Sequence, residues 1–185
     1  MIKIARASIN HGVATGRPVD VEPREFSRHL IQPGASFVTL EIAGKLRGCI
    51  GSVEAHRPLV QDVAHNAFAA AFRDPRFPPL EKKELHRLEI HISVLGPPFP
   101  MPVATEEELL TTLRPGIDGL ILQESTFRSV FLPQVWDTLP EPSEFLEHLK
   151  LKAGLPADYW SPRLRFQRFI VEEISDDVAD RDLPE

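Results

Sequence analysis

The chain has 185 residues, 42% hydrophobic and 26% charged, with a formal net charge of −6. That length suits one domain, or one domain with two lobes, with a core that needs no covalent staples. The acidic balance argues against a general nucleic-acid binder, which normally shows a basic stripe or a high isoelectric point. One cysteine excludes an internal disulfide and fits a reducing compartment. No apolar run approaches the ~18 residues of a membrane helix, and residues 1–15 lack a signal-peptide core. The expectation is a soluble, cytoplasmic protein with no membrane association.

In chain order, Ile2, Ala5, Ile9 and Val13 recur near helical spacing and predict an amphipathic helix over residues 2–13. Residues 14–35 are turn-rich, with a short helix expected around Glu25–Leu30. Phe37–Ile42 has strand composition. Ala43-Gly44-Lys45 then turns the chain, and Leu46–Val53 returns as the second strand of a hairpin. Pro58 opens the clearest helix, with Val60, Val63, Ala64, Ala67, Phe68 and Ala71 as its apolar stripe and Asp62, His65, Asn66 and Arg73 on the polar side. Asp74–Pro79 follows as a stiff, proline-rich loop.

Arg87–Leu95 alternates cleanly as a half-buried strand, with Glu89, His91 and Ser93 on its polar face. Thr105 and Glu108 form a capping box before a short helix. Gly119–Glu124 and Phe127–Leu132 predict a second hairpin, and a helix over Ser143–Ala153 stops at Gly154. Arg163–Ile174 reads as the last strand, and the acidic residues 175–185 as a frayed tail. Strands that arrive as hairpins with helices between them give an α+β fold with a largely antiparallel sheet and packed helices. Hairpin, helix and strand recur over 37–95 and 119–174, which raises an internal duplication.

The most informative stretch is Arg47-Gly48-Cys49-Ile50-Gly51-Ser52, where the sole cysteine stands between two glycines. Glycine inside a strand marks a bulge or a close backbone approach. On a regular strand Arg47, Cys49 and Gly51 share one face, and a guanidinium beside a thiol favours the thiolate. Flanking glycines would leave room for a ligand. The competing reading is a buried structural cysteine whose glycines allow tight packing.

These residues resemble the signature of the AMMECR family. The likeness extends to Phe37–Leu40, to Asn66–Leu80 with its Asp74-Pro75-Arg76 core, to Asp118–Leu122, to Phe131–Trp136, and to Phe145–Leu149 with Lys152–Pro156. It covers residues 1–174 as a single two-lobed domain. It implies an α+β fold with a larger and a smaller lobe, a cleft near the signature, and association with Memo-type proteins and radical S-adenosylmethionine enzymes. It names no reaction and no cofactor. Where family members often carry a second cysteine, this chain has Lys150, so any thiol chemistry rests on Cys49 alone.

The candidate catalytic residues are Cys49 as nucleophile and His148 as base, since a catalytic thiol needs a base within hydrogen-bond reach; the competing reading of His148 is a surface or capping residue of its helix. Candidate binding residues are Arg47, Gly48, Gly51, Asp74, Arg76 and Glu89. Asp74 and Arg76 bracket Pro75 and suit either a substrate's charged ends or a loop salt bridge. Glu89, on a polar strand face, suits either orienting Arg47 across the sheet or facing water. His65 and His91 read as solvated. No Cys-x-x-Cys or His-Glu-x-x-His spacing points to metal, and a metal site would have to be assembled by folding. Three functional classes follow: an enzyme or enzyme component, a protein-binding adaptor, and, weakest, a nucleic-acid binder using Arg163, Arg165 and Arg168 around Phe166 and Phe169. The last requires exposed rings.

Overall fold

In the computed structural model, which describes residues 1–176, the first hairpin joins β1 (Pro33–Ile42) to β2 (Lys45–Gly51). Its two-residue turn, Ala43-Gly44, has positive φ at both positions, 54° and 70°. That backbone matches the right-handed twist of the flanking strands, and glycine adopts it without steric cost. β1 starts four residues earlier than its composition suggests, because Pro33 and Gly34 pair with β3 (Arg57–Pro58).

The first of two units comprises Met1–Leu95 and the chain from Glu172. Its sheet has the order β2-β1-β4-β9, with β4 at Leu88–Leu95 and β9 at Val171–Ser175. α1 (Ile2–Thr15) and α3 (Leu59–Phe72) belong to the same unit. The inward side chains Val38, Leu40, Leu88, Ile90 and Ile92 form one cluster with Ala5, Ile9, Val63, Ala67 and Ala71. Alternation of strand side chains therefore gives this sheet an apolar inner face and an outer face carrying Thr39, Glu41, Cys49, Glu89 and His91.

Two expectations are corrected here. Asp62 is not on a solvated helix face: it is 2% exposed and accepts hydrogen bonds from the Ser36 amide, the Ser36 hydroxyl and Asn66. Burial raises its pKa above the ordinary aspartate value, against those hydrogen bonds. Helical periodicity cannot show that a strand recruits a helix carboxylate to satisfy its backbone. The short helix near Glu25–Leu30 is instead a 3-10 turn at Pro23–Glu25 followed by α2 (Arg28–Ile31).

The second unit spans Gly96–Val171. Its sheet has the order β5-β8-β6-β7, with β5 at Phe99–Met101, β6 at Gly119–Glu124, β7 at Phe127–Phe131 and β8 at Arg165–Phe169. α4 (Glu106–Thr112) starts at Thr105, whose hydroxyl accepts from the Glu108 amide. α5 (Pro142–Lys152) buries Phe145, Leu146 and Leu149 in this unit's core, and Trp136 stacks on Phe145 at 3.7 Å. Lys150 is fully buried, its Nζ donating to Glu106 at 2.7 Å and to the Ala157 carbonyl at 3.0 Å.

The predicted last strand, 163–174, is two strands. β8 lies in the second unit's sheet and β9 in the first unit's. The break at Ile170 is marked only by its carbonyl accepting from Gly96, with no glycine or proline in the segment itself to signal it. β9 runs through Ser175, and Asp176 pairs with Arg6. The rest of the expected tail, 177–185, lies outside the described residues. Both units run hairpin, helix, return strand, and each return strand pairs antiparallel with the first hairpin strand: β4 with β1, and β8 with β6. The likeness is one of topology.

Gly48 fixes how closely β2 meets α3: a Cβ at that position would lie 2.1 Å from the Ala70 carbonyl oxygen. Backbone cannot yield as a flexible side chain does. Gly48→Ala should therefore cost about 1–3 kcal/mol in urea denaturation, the range of overpacked cores. A loss below about 0.5 kcal/mol, ordinary for a surface change, would contradict this packing.

Candidate functional site

β2 is an edge strand, and an edge presents unpaired N–H and C=O groups to whatever approaches. At Cys49 both outward groups are taken by the proline loop. Asp74 accepts from the Cys49 amide at 2.9 Å, and the Arg76 guanidinium lies 3.3 Å from the Cys49 carbonyl, donating to it. The same carboxylate accepts from the Arg76 amide at 3.0 Å and from its guanidinium at 3.0 and 2.7 Å. Asp74 and Arg76 thus act as one residue of a missing neighbour strand, with Pro75 fixing the backbone between them.

This arrangement sets the charges. The Asp74 side chain is 2% exposed, yet it is held well below the ordinary carboxylate range. The Arg76 hydrogen bond is the largest cause, with the Cys49 and Arg76 amides adding to it against the cost of burial. Arg76 is raised by the same contact, and its side chain remains 54% exposed.

Because the Cys49 backbone points outward to the loop, its pairing with Thr39 is of the close, non-hydrogen-bonded kind, in which side chains approach more nearly. The Thr39 hydroxyl donates to the Cys49 sulfur at 3.2 Å. Cys49 is half-buried and faces outward with Thr39.

Arg47 departs from the expected geometry. The register shifts between Leu40 and Glu41, so that Gly48 opposes Leu40 and Leu46 opposes Glu41. Arg47 is the extra residue of a β-bulge, which re-aims a side chain. Its guanidinium forms a two-pronged bond with Glu84 at 2.7 and 3.1 Å, in the 3-10 turn Lys82–Arg87, and this bond lowers the Glu84 pKa. Glu84 orients Arg47. The guanidinium bonded to the Cys49 backbone is that of Arg76.

The two signature glycines are filled from within. The Gly48 position abuts the Ala70 carbonyl, and a Cβ at Gly51 would meet the Phe37 ring at 2.3 Å and the Ser36 carbonyl at 2.4 Å. The room expected for a ligand is used for packing. Glu89 stands opposite Glu41, with His91 on the same face. His148 belongs to the second unit, exposed on α5, with its Nδ1 2.9 Å from the Glu144 carbonyl one turn back. His65 is exposed, as expected.

Phe166 and Phe169 are 3% and 2% exposed, so the base-stacking surface expected of a nucleic-acid binder is absent at these rings. Arg163 bonds to Glu124 at 2.9 Å, and Arg168 lies 3.9 Å from Asp118. Sequence reasoning missed Thr39, Glu41 and Glu84 and passed over His91. Only Glu84 carried a local signal, as the third residue after Glu81 in a capping box.

The comparisons agree in direction. A family model described as AMMECR1 matches residues 2–174. A protein of Methanothermobacter thermautotrophicus is 37% identical over 183 residues, covering 96% of this chain and 93% of that one. A Methanopyrus kandleri protein is 36% identical over 199 residues, covering 100% and 93%. The crystal structure of an uncharacterized protein from Pyrococcus horikoshii superposes with a TM-score of 0.81 at 32% identity, covering 95% of this chain and 89% of that one. Among the described residues no helix is long and apolar enough to cross a membrane.

The Asp74 clamp carries a pH signature. A carboxylate depressed in the folded state stabilises it fully above the unfolded-chain value of about 3.9, and that stability is lost progressively as pH falls from there through the lower folded-state value. Asp74→Asn should cost about 1–3 kcal/mol at pH 7. Its cost should shrink as denaturation is repeated toward acid. A cost that stays constant from neutral to acid pH would show that Asp74 is not the ionised anchor.

Proposed function

The chain belongs to the AMMECR1 family, and on that premise we propose that it is an enzyme component whose reactive group is the Cys49 thiol on the outer face of the first hairpin. One observation carries this reading: a half-buried thiol receives a hydroxyl hydrogen bond from Thr39 while Asp74 and Arg76 immobilise its backbone. The thiol is thereby held in one orientation on the outer face, beside the exposed guanidinium of Arg76. The exposed guanidinium of Arg76 would take an anionic group of the substrate. The partners of this reading are the Memo-type and radical S-adenosylmethionine proteins that the family likeness implies, met in the cytoplasm.

A second reading has its own observation. Gly48 and Gly51 are used by internal packing, so the signature also suits a rigid edge that an adaptor offers to a protein partner. The two readings separate at the sulfur. Iodoacetamide labelling of the folded protein, followed by intact mass, should modify Cys49 at neutral pH. Thr39→Val should slow that reaction several-fold in the folded state and leave the rate in denaturant unchanged. Labelling that occurs only in denaturant would remove the thiol reading and leave the adaptor.

A further inference from the structure

The outer face of the first sheet holds a second group of chemistry-bearing side chains, independent of the thiol reading. Glu41 on β1 stands directly opposite Glu89 on β4, and His91 follows two residues later on the same face. One ligand atom from each of these three side chains lies within 4.8 Å of the other two.

Three observations bear on what these groups do. Glu41 and Glu89 bring two carboxylates, the oxygen donors that divalent cations take, to the same place on neighbouring strands. The Nε2 atom of His91 is shielded from solvent and has no hydrogen-bond partner among the described residues, the Glu41 carboxylate lying beyond bonding range at 3.8 Å, while the side chain as a whole is 34% exposed. A buried polar atom of this kind is uncommon and needs a physical account. Finally, His91 Nδ1 lies 3.1 Å from the Ser175 hydroxyl. Donation from Nδ1–H to that oxygen leaves the lone pair on Nε2, aimed at the carboxylates. Metal-bound histidines use the same device: the far ring nitrogen is anchored so that the near one can ligate.

We propose that Glu41, Glu89 and His91 form a site for a divalent transition cation of the zinc or manganese class. Imidazole favours zinc-like ions and carboxylates favour manganese-like ones, and a mixed set of one nitrogen and two oxygens accepts either. Metal–ligand bonds of about 2.0–2.2 Å require ligand atoms somewhat closer together than those here, so binding draws the three side chains inward. Three protein ligands leave at least one coordination position open to water or a ligand. Cys49 lies two strands away on the same face, with Thr39 between, at a Cα separation of about 10 Å from the spacing of strands. The ligands come from two strands far apart in sequence, which is why no spacing motif announced them.

The test uses tag-free, chelator-stripped full-length protein, titrated separately with Zn²⁺ and Mn²⁺ by calorimetry, with stoichiometry from native mass spectrometry. One ion per chain is expected. Affinity should fall in His91→Asn and in Glu41→Gln by at least the about 10–100-fold that even outer-shell changes cost a metal site. Cys49→Ser should bind as the parent does. The ion should raise the melting temperature of the parent and of Cys49→Ser, but not of His91→Asn or Glu41→Gln. Absence of saturable binding, binding unchanged in both ligand variants, or binding lost in Cys49→Ser would each overturn the proposal. None of these results depends on the reactivity of the thiol.

Discussion

The buried carboxylate of Asp74 is the constraint on which the signature depends. Taking an ionised aspartate out of water is costly unless its lone pairs are filled. Here they are filled by the Cys49 amide, the Arg76 amide and two guanidinium nitrogens. Without this carboxylate the Cys49 amide would be an open edge-strand donor, and Arg76 would lose the contact that draws its guanidinium toward the Cys49 carbonyl. Asp-Pro-Arg and Arg-Gly-Cys-Ile-Gly, separated in sequence, are one structural unit closed by hydrogen bonds. The loop both protects the sheet edge and fixes the direction of the thiol.

That direction divides the sheet into two faces with separate tasks. Ile90, Ile92, Val38 and Leu40 point inward and supply cohesion. Gly48 points the same way and lets the Ala70 carbonyl come close. Cys49, Thr39, His91, Glu41 and Glu89 point outward, and every group proposed for chemistry in this unit apart from the Arg76 guanidinium stands on that face. A substitution on the inner face should change stability first. One on the outer face should change reactivity or cation binding while leaving the core intact.

Much of the fold was legible in the residues because periodicity is local. The alternation of Leu88, Ile90, Ile92 and Val94 and the stripe of Val63, Ala67 and Ala71 predicted β4 and α3 closely. What escaped was set by events that leave no local trace. Counting back from the Ala43-Gly44 turn places Thr39 opposite Gly48, and only the bulge at Arg47 moves it opposite Cys49. The same bulge sends Arg47 to Glu84. Asp62 followed the helical period correctly as a position but not as a burial state, because its partner is a strand amide. His91 looked, like His65, to be a solvated histidine until the register set Glu41 beside Glu89 and β9 brought Ser175 to its Nδ1. Cys49, Asp74 and Arg76 could be named from sequence, but not the clamp that joins them.

The clamp can be read at one atom. Amide hydrogen exchange at Cys49 distinguishes a bonded edge from an open one, since an amide held by a buried carboxylate opens only with its surroundings. Cys49 should exchange as slowly as the interior amides of β1 in the parent protein and should lose that protection in Asp74→Ala while β1 keeps its own. Fast exchange at Cys49 in the parent protein, at the rate of a solvent-facing edge amide, would contradict the account.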